Sequence, residues 1–335
     1  MDFGYTEEQI TLRNTARDWL AARYPTDRLI AIADDVAGHG GDLEAWQHIE
    51  TLGWLDAVAE GAVETGLLLQ ECGRALLPAP FFVTVGLASA FGVDTAYPTT
   101  LAYVERAARY LSDSVTTTVD ADGLVTGSKL HVPDIGLASR VVVTTQSGPR
   151  LVRTADACVV ARSTIDRTRR LGDLLLDGTP SEPMYQSNLT HVRAWILTAC
   201  ANEAVGVAER VIEIATTHAS TRMQFGRVIG SYQAVSHQLA DCYVATELAR
   251  SLATWASWAL DADDPSALMA AEAAKAEAGA AAVKACEVAI QVHGGIGFTW
   301  DSILHRFYKR ALFLDAYEGS AIQQRGDIAA TILGS

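Results

Sequence analysis

Apolar positions along this chain follow two different periods, and the change of period divides it. From Thr6 to about Arg109 the spacing is helical: Ile10, Leu12, Ala16, Trp19 and Leu20 form one stripe, and Thr6 stands three residues ahead of Gln9, the spacing of a capping box. A loop carrying Gly38, Gly40 and Gly41 leads to a second helical pattern with Trp46, Ile49 and Leu52. That loop, GHGGDL, has neither a strand before it nor a phosphate-binding lysine, so its glycines read as loop punctuation. Pro78 and Pro80 break the helix in front of them, because proline lacks the N–H that the helix needs, and the apolar segment Phe81 to Phe91 resumes it.

Near Ser112 the period shortens. SVTTTVD, GLVTGSKLHV, SRVVVTT and ACVVARSTI are short, β-branched and partly alternating, with Asp-Gly and Gly-Pro between them, which predicts a small antiparallel β-domain ending near Asn188. From Thr190 the helical period returns and stays. Val205, Ala208, Ile212 and Ala215 mark one face; Val235, Leu239, Cys242, Ala249, Ala253 and Ala256 mark a second; a third run starts at Met269. Faces this rich in alanine let helices approach closely and predict an antiparallel four-helix bundle, with Asp261 to Pro265 as one turn. The expected fold is α+β and mostly α: a helical domain over 1–111, a small trimmed β-domain over 112–189 and a C-terminal helical bundle over 190–335.

Composition narrows the function classes. With 335 residues, 49% hydrophobic and 20% charged, the chain is globular and can bury a large core. A net charge of −14 without a Lys/Arg cluster argues against nucleic acid or an anionic membrane as partner. The N-terminus lacks the basic and apolar regions of a signal peptide, and no apolar run reaches about 18 residues, so a soluble cytoplasmic protein is expected. Five scattered cysteines, Cys72, Cys158, Cys200, Cys242 and Cys286, read as buried reduced thiols. His218, His237, His293 and His305 are too dispersed for a metal site, and His237 and His293 read as core hydrogen-bonders or cofactor-proximal groups.

Three stretches carry candidate chemistry. STRMQFGRVIGSYQAVSHQLAD joins the first two bundle helices, with Gly226 and Gly230 interrupting them and Arg222, Gln224, Phe225 and Arg227 around the break. Read alone, it is either a charged linker or a place where a ligand meets the backbone. QVHGGIGFTW closes the long Ala-rich helix with Gly294, Gly295 and Gly297; glycine there either caps the helix or admits a ligand. The third is DAYEGS, where Glu318 lies between Tyr317 and Gly319, 24 residues after Gly294.

The pair RMQFGRVIGSYQAVSHQLAD and QVHGGIGFTW resembles the acyl-CoA dehydrogenase family, over the whole chain and most strongly from Ala204 onward. That family combines an N-terminal helical domain, a middle β-domain and a C-terminal four-helix bundle, the order predicted here. The resemblance implies FAD as cofactor. By analogy with its R-x-x-F-G and Q-x-x-G-G motifs, Arg222, Gln224 and Phe225, then Gln291, Gly294 and Gly295, would contact the FAD of a neighbouring subunit. A guanidinium can pair with the diphosphate, a Phe face can pack on a ring, and a glycine pair lets the backbone come close. Tyr317-Glu318-Gly319-Ser320 looks like the family's catalytic segment. It makes Glu318 the base that takes the α-proton of an acyl-CoA thioester while the β-hydrogen leaves as hydride to flavin N5. A ribityl hydroxyl and the Glu318 backbone N–H would polarise the carbonyl. Tyr317 and Gly319 would line the acyl site, Gly319 leaving room for the chain, and Ser320 would contact the flavin. The resemblance also implies an obligate oligomer, and an electron-transfer flavoprotein or similar acceptor.

The middle domain departs from the family pattern. Where members carry a T-E-P segment and a Trp-Ser/Thr strand covering the flavin, this chain has LAYVERA near Glu105 and KLHVPDIG, whose Pro133 has no N–H to donate. HGGIGFTW and HRFYKRA are similar to actinobacterial acyl-CoA dehydrogenases of steroid side-chain catabolism, which work as heteromers of two unlike subunits. Two readings follow. Either the chain is catalytic through Glu318, on a bulky acyl-CoA, or it is a non-catalytic partner that completes the FAD site of a second subunit. A helical scaffold without flavin would require both motifs to be coincidences. The altered β-domain predicts that the chain alone binds little FAD.

Overall fold

The structure, a computed structural model, describes residues 4–35, 41–185 and 188–334. Gly38 and Gly40 of the predicted loop lie outside them. Along the chain come α1 (Glu7–Arg23), α2 (Thr26–Asp34), α3 (Glu44–Thr51), α4 (Trp54–Glu60) and α5 (Ala62–Ala75), then eight strands: β1 (Thr99–Ala102), β2 (Thr118–Val119), β3 (Leu124–Pro133), β4 (Arg140–Thr145), β5 (Gly148–Arg153), β6 (Cys158–Ala161), β7 (Leu171–Pro180) and β8 (Glu182–Pro183). After them follow α6 (Leu189–Thr221), the short strands β9 (Met223–Gln224) and β10 (Arg227–Val228), α7 (Gln233–Asp261), α8 (Ala267–His293), α9 (Leu304–Ala316) and α10 (Ala321–Leu333). The fold is α+β and mostly α, as the periodicity predicts. The capping box is formed: Gln9 N donates to Thr6 Oγ1 at 3.2 Å, and Thr6 N donates to Gln9 Oε1 at 3.0 Å.

The chain forms two compact units, one of Met1–Ile30, Ala62–Leu77 and Leu197–Ser335, the other of Ala31–Gly61 and Pro78–Ile196. In the second unit, two departures from the sequence reading stand out. The segment after Pro80 is a π-helix over Phe82–Ala88 that tightens to 3-10 over Ser89–Phe91. β1 lies inside the stretch read as helical, because Pro98 favours extended backbone before it and Thr99 and Thr100 are β-branched. β1 also pairs parallel with β4, Thr99 opposite Arg140, so the sheet is not purely antiparallel. The two sheets run β1-β4-β5-β8 and β2-β3-β7-β6 around a core of Val125, Val132, Ile135, Val141, Val143, Val152, Leu174 and Leu176.

Within that unit Glu105 is buried and already fully used. Its carboxylate accepts from Lys129 Nζ at 2.7 Å, from the backbone N–H of Thr116 and Thr117 and from both their hydroxyls. Burial pushes this carboxyl up, but the bonds from Lys129, Thr116 and Thr117 outweigh it and bring its pKa down to about 2.

In the first unit the helices meet through small residues. A Cβ at Gly73 would lie 2.2 Å from Glu203 O, and one at Gly206 would lie 1.8 Å from Gln70 O, so α5 and α6 cross backbone to backbone. Gln70 Nε2 donates to Asn202 Oδ1 at 2.8 Å in the same crossing. The alanines of α8, among them Ala271, Ala274, Ala278, Ala282, Ala285 and Ala289, are buried. Arg310 of α9 and Glu203 of α6, both buried, pair at 2.6 Å. The predicted turn between α7 and α8 is present, with Asp264 Oδ1 accepting from Ser266 N at 2.8 Å.

Candidate functional site

The first two candidate motifs meet on an exposed surface of the first unit. Between α6 and α7 the sequence folds into a two-stranded hairpin, with Gln224 opposite Arg227. Phe225 (φ 52°) and Gly226 (φ 81°) at its tip are successive left-handed residues, the geometry of a tight primed turn. The turn throws the Phe225 ring outward, 93% exposed. Ile229 N donates to Arg222 O at 2.8 Å, Tyr232 Oη donates to Gln224 O at 3.3 Å, and the Arg227 guanidinium sits 3.9 Å from the Tyr232 ring centre. Arg227 thereby braces the hairpin, while the side chains of Arg222, Gln224 and Phe225 are exposed.

α8 ends at the second motif. Gly294, with φ 63°, caps it, its N–H directed at Gln291 O and Ile290 O. A Cβ at Gly294 or Gly295 would meet nothing within 4 Å, so at neither position does a neighbouring atom of the chain demand glycine. Gly297 differs: a Cβ there would strike Ile290 O at 2.6 Å, so its glycine serves packing. The two motifs are joined by the rings of His218 and His293, stacked 4.1 Å apart, with Arg222 N donating to His218 O at 2.9 Å. Burial lowers the His218 pKa, and the charges of His293 and Arg222 lower it further. His293 is held at Ala289 O, 2.8 Å from its Nδ1. Arg222, Gln224, Phe225, Gln291, Gly294 and Gly295 thus belong to one exposed patch of donors, open backbone and one bare aromatic face. That set fits an extended anionic cofactor such as FAD.

Glu318 lies elsewhere. It is 3% exposed and has φ 54°, a left-handed backbone that costs a non-glycine residue roughly 1–2 kcal/mol, so its surroundings must impose it. Tyr317, half-buried, ends α9 with its ring 5.3 Å from Phe313. Gly319 has φ 102°, and a Cβ there would press on Gln324 Nε2 at 2.8 Å, so this glycine is required by the turn itself. Ser320 caps α10, its N donating to Gln323 Oε1 at 2.9 Å.

Two buried side chains hold this turn, and neither was foreseen from the sequence. Lys275 of α8, fully buried, donates from Nζ to Asp315 O at 2.8 Å and to Gly319 O at 3.1 Å. The bond to Asp315 O satisfies one of the carbonyls that the C-terminal end of α9 leaves without an intrahelical partner. Gln324 of α10 donates from Nε2 to Glu318 O at 2.7 Å. Burial lowers the Lys275 pKa, against which Cys200, Asp315 and Glu318 act to raise it. A lysine at i+4 from Ala271 and i+1 from Ala274, in a helix whose alanines face inward, was the available signal. Lys275 precedes Gln291 by 16 residues on one helix. At ~1.5 Å rise per residue the two tethers are about 24 Å apart. The candidate base and the exposed patch are therefore separate places on this chain.

In the second unit Pro133 ends β3, buried, its carbonyl accepting from Thr100 Oγ1 at 2.6 Å. Next to it the β3–β7 register shifts between Lys129 and Val132, His131 (φ 54°) and Asp134 (φ 49°) are left-handed, and His131 N donates to Asp173. Four of the cysteines are buried thiols as expected, but Cys158 is exposed, on an edge strand of its sheet. Among the described residues no cluster of His, Cys, Asp or Glu could hold a metal, and no helix is long and apolar enough to cross a membrane.

Comparison with known proteins agrees with the family resemblance. The family described as "Acyl-CoA dehydrogenase, C-terminal domain" matches residues 184–333. Acyl-CoA dehydrogenase IpdE2 of Mycobacterium tuberculosis is 32% identical over 285 residues, which span 84% of this chain and 76% of that protein. A solved structure of a variant of the Tcur3481-Tcur3483 steroid ACAD superposes with a TM-score of 0.86 at 27% identity, covering 98% of this chain and 99% of that one. The ChsE4-ChsE5 complex of Mycobacterium tuberculosis shares the fold at a TM-score of 0.86 and 24% identity, with both chains fully covered. Full-length agreement in fold and 32% identity to IpdE2, added to the two motifs and the Tyr-Glu-Gly turn, show that this chain belongs to the acyl-CoA dehydrogenase family.

Proposed function

We propose that this chain takes part in FAD-dependent α,β-dehydrogenation of a bulky acyl-CoA thioester, of steroid type, as one subunit of a heteromer. Glu318 is the base, and the patch at Arg222, Gln224, Phe225, Gln291, Gly294 and Gly295 binds the FAD of a neighbouring subunit, with Ser320 at the flavin and Tyr317 and Gly319 at the acyl chain. The observation that carries this reading is the contrast between a buried, backbone-constrained Glu318 and an exposed set of donors on the same chain. Exposed donors suit a ligand that another subunit also holds, whereas a base needs water excluded so that its carboxylate keeps its basicity. Bound FAD supplies the hydride acceptor; this chain's residues remove the proton, pair with the diphosphate and fix the thioester. The names of the Tcur3481-Tcur3483 and ChsE4-ChsE5 neighbours support the steroid and two-subunit parts of the reading.

One observation favours a second reading. Pro133, buried at the end of β3, has no N–H for a flavin edge and its carbonyl is already engaged by Thr100. A chain that cannot hold the ring itself would act by lending its exposed patch to a second subunit. Both readings are tested by measuring flavin absorbance and acyl-CoA-dependent reduction of an electron-transfer flavoprotein or dye, for the chain alone and for the chain co-expressed with a second acyl-CoA dehydrogenase-like subunit. Little flavin alone and full flavin together is expected. Full flavin and turnover by the chain alone would overturn the heteromer. Unchanged turnover of a Glu318→Gln complex would leave the chain as the non-catalytic partner.

A further inference from the structure

Three backbone carbonyls around the Glu318 turn are captured by two side chains that are themselves wholly buried. Asp315 O and Gly319 O accept from Lys275 Nζ, and Glu318 O accepts from Gln324 Nε2. The three acceptors span the end of α9 and the start of the turn into α10, while the donors come from α8 and from the first turns of α10. Neither donor is replaceable by solvent, because both residues are 0% exposed. The turn they hold contains two consecutive positive-φ residues, Glu318 and Gly319, and the first of them is a conformation that glutamate does not adopt unaided. α8 also meets the turn one helical turn further on, where a Cβ at Gly279 would lie 2.7 Å from Asp315 Oδ1.

Resting on the reading of Glu318 as base, the geometry points to Lys275 and Gln324 as positioning residues that lock Glu318 in its left-handed conformation and so aim its carboxylate at the α-carbon of the acyl-CoA. Lys275 does more than fill space. Its buried Nζ lies within electrostatic reach of Cys200 of α6, Asp315 of α9 and Glu318, and it donates to carbonyl oxygens at the end of α9 and in the turn. Replacing Lys275 by an apolar residue of similar length removes both bonds at once: it frees Asp315 O in the last turn of α9 and leaves Gly319 O with only the longer bond from Gln324 Nε2, at 3.4 Å. Replacing Gln324 frees only the Glu318 carbonyl.

The test uses the full chain as purified and the flavin-loaded complex, with Lys275→Met, Gln324→Met and Glu318→Gln. Hydrogen exchange of the backbone amides over 315–321 reads the lock without any need for turnover. Exchange there is expected to rise about tenfold or more in Lys275→Met and by less in Gln324→Met, with the hairpin over 222–228 unchanged as internal control. In the complex, Lys275→Met is expected to lower kcat by about 10²-fold, as a misplaced base does, with KM for the acyl-CoA within about twofold. Should Lys275→Met fail to fold, Gln324→Met decides the question alone. Unchanged exchange over 315–321, or raised exchange with unchanged kcat while Glu318→Gln is inactive, overturns the positioning role and leaves the base assignment standing. If Glu318→Gln retains turnover, the base reading itself has failed, and the exchange data then report only on the turn.

Discussion

The patch formed by the hairpin and the Gly294 helix end, and the turn around Glu318, are built in opposite ways although one helix serves both. At the patch, side chains are exposed, Phe225 is bare at 93%, and the glycines Gly294 and Gly295 have nothing near them that would exclude a Cβ. At the turn, Glu318 is 3% exposed, Gly319 is forced by its positive φ and by Gln324, and the carbonyls are bonded by buried donors. A surface that remains open in the folded chain suits a ligand brought by another subunit. A residue whose backbone is held in a strained conformation by buried polar groups suits a task that needs one orientation and no water. The difference teaches that glycine alone does not mark a ligand site. Gly297 and Gly319 answer to packing and turn geometry, Gly294 to its own positive φ as well, and of the four only Gly295 has neither constraint.

The comparison is broken most sharply by Glu318→Gln. In the flavin-loaded complex it should reduce turnover about 10³-fold, the usual contribution of a general base, with flavin absorbance per chain unchanged. Stopped-flow flavin bleaching by acyl-CoA measures both, and a loss of flavin together with activity would merge the two regions into one. Arg222→Ala should do the reverse. Loss of a charge-assisted bond to a diphosphate weakens flavin retention by about 2 kcal/mol, near 30-fold, while the melting temperature of the flavin-free chain stays put because the side chain is exposed.

Gly279→Ala tests the buried side from the scaffold. Its Cβ would lie 2.7 Å from Asp315 Oδ1 and 3.3 Å from Asp315 Cα. Overpacking there should destabilise by about 1–2 kcal/mol in denaturant titration and lower turnover, leaving flavin content unchanged. The smallest effect is expected at the His218–His293 stack. Burial, with help from His293 and Arg222, puts the folded His218 pKa below its ordinary 6.5, so the neutral ring is favoured and its contribution is full above that value. As pH falls through 6.5 that contribution is lost. The protection of the amides over 218–228, taken relative to their intrinsic exchange at each pH, should therefore fall between pH 7.5 and 5.5, and His218→Gln should flatten the dependence.

Much of this was legible beforehand. The capping box at Thr6 and Gln9, the helical stripes, the β-branched runs of the second unit and the α7–α8 turn all depend on neighbours within a few residues, so local chemistry decides them. β1 was missed because four residues within a helical-looking stretch take their strand character from Val141, Val142 and Val143, about 40 residues away. The hairpin at Phe225 was readable only as a break between helices, since two positive φ values in a row leave a weak trace when just one of the residues is glycine. Lys275 lies unmarked inside the Ala-rich run that starts at Met269, because nothing near it in sequence says which oxygens it will meet. Its acceptors lie 40 and 44 residues further on.

By itself the sequence determined the helix-strand-helix order, the family, and the candidate residues at Arg222, Gly294 and Glu318, because periodicity and short motifs are properties of contiguous chain. Only the tertiary structure decided that these candidates form two places instead of one, that the hairpin and the Gly294 end are joined through His218 and His293, and that Glu318 is held by Lys275 and Gln324. The physical reason is that burial and hydrogen-bond satisfaction depend on which helices return to which, and α9 and α10 return to α8 only once the chain has folded.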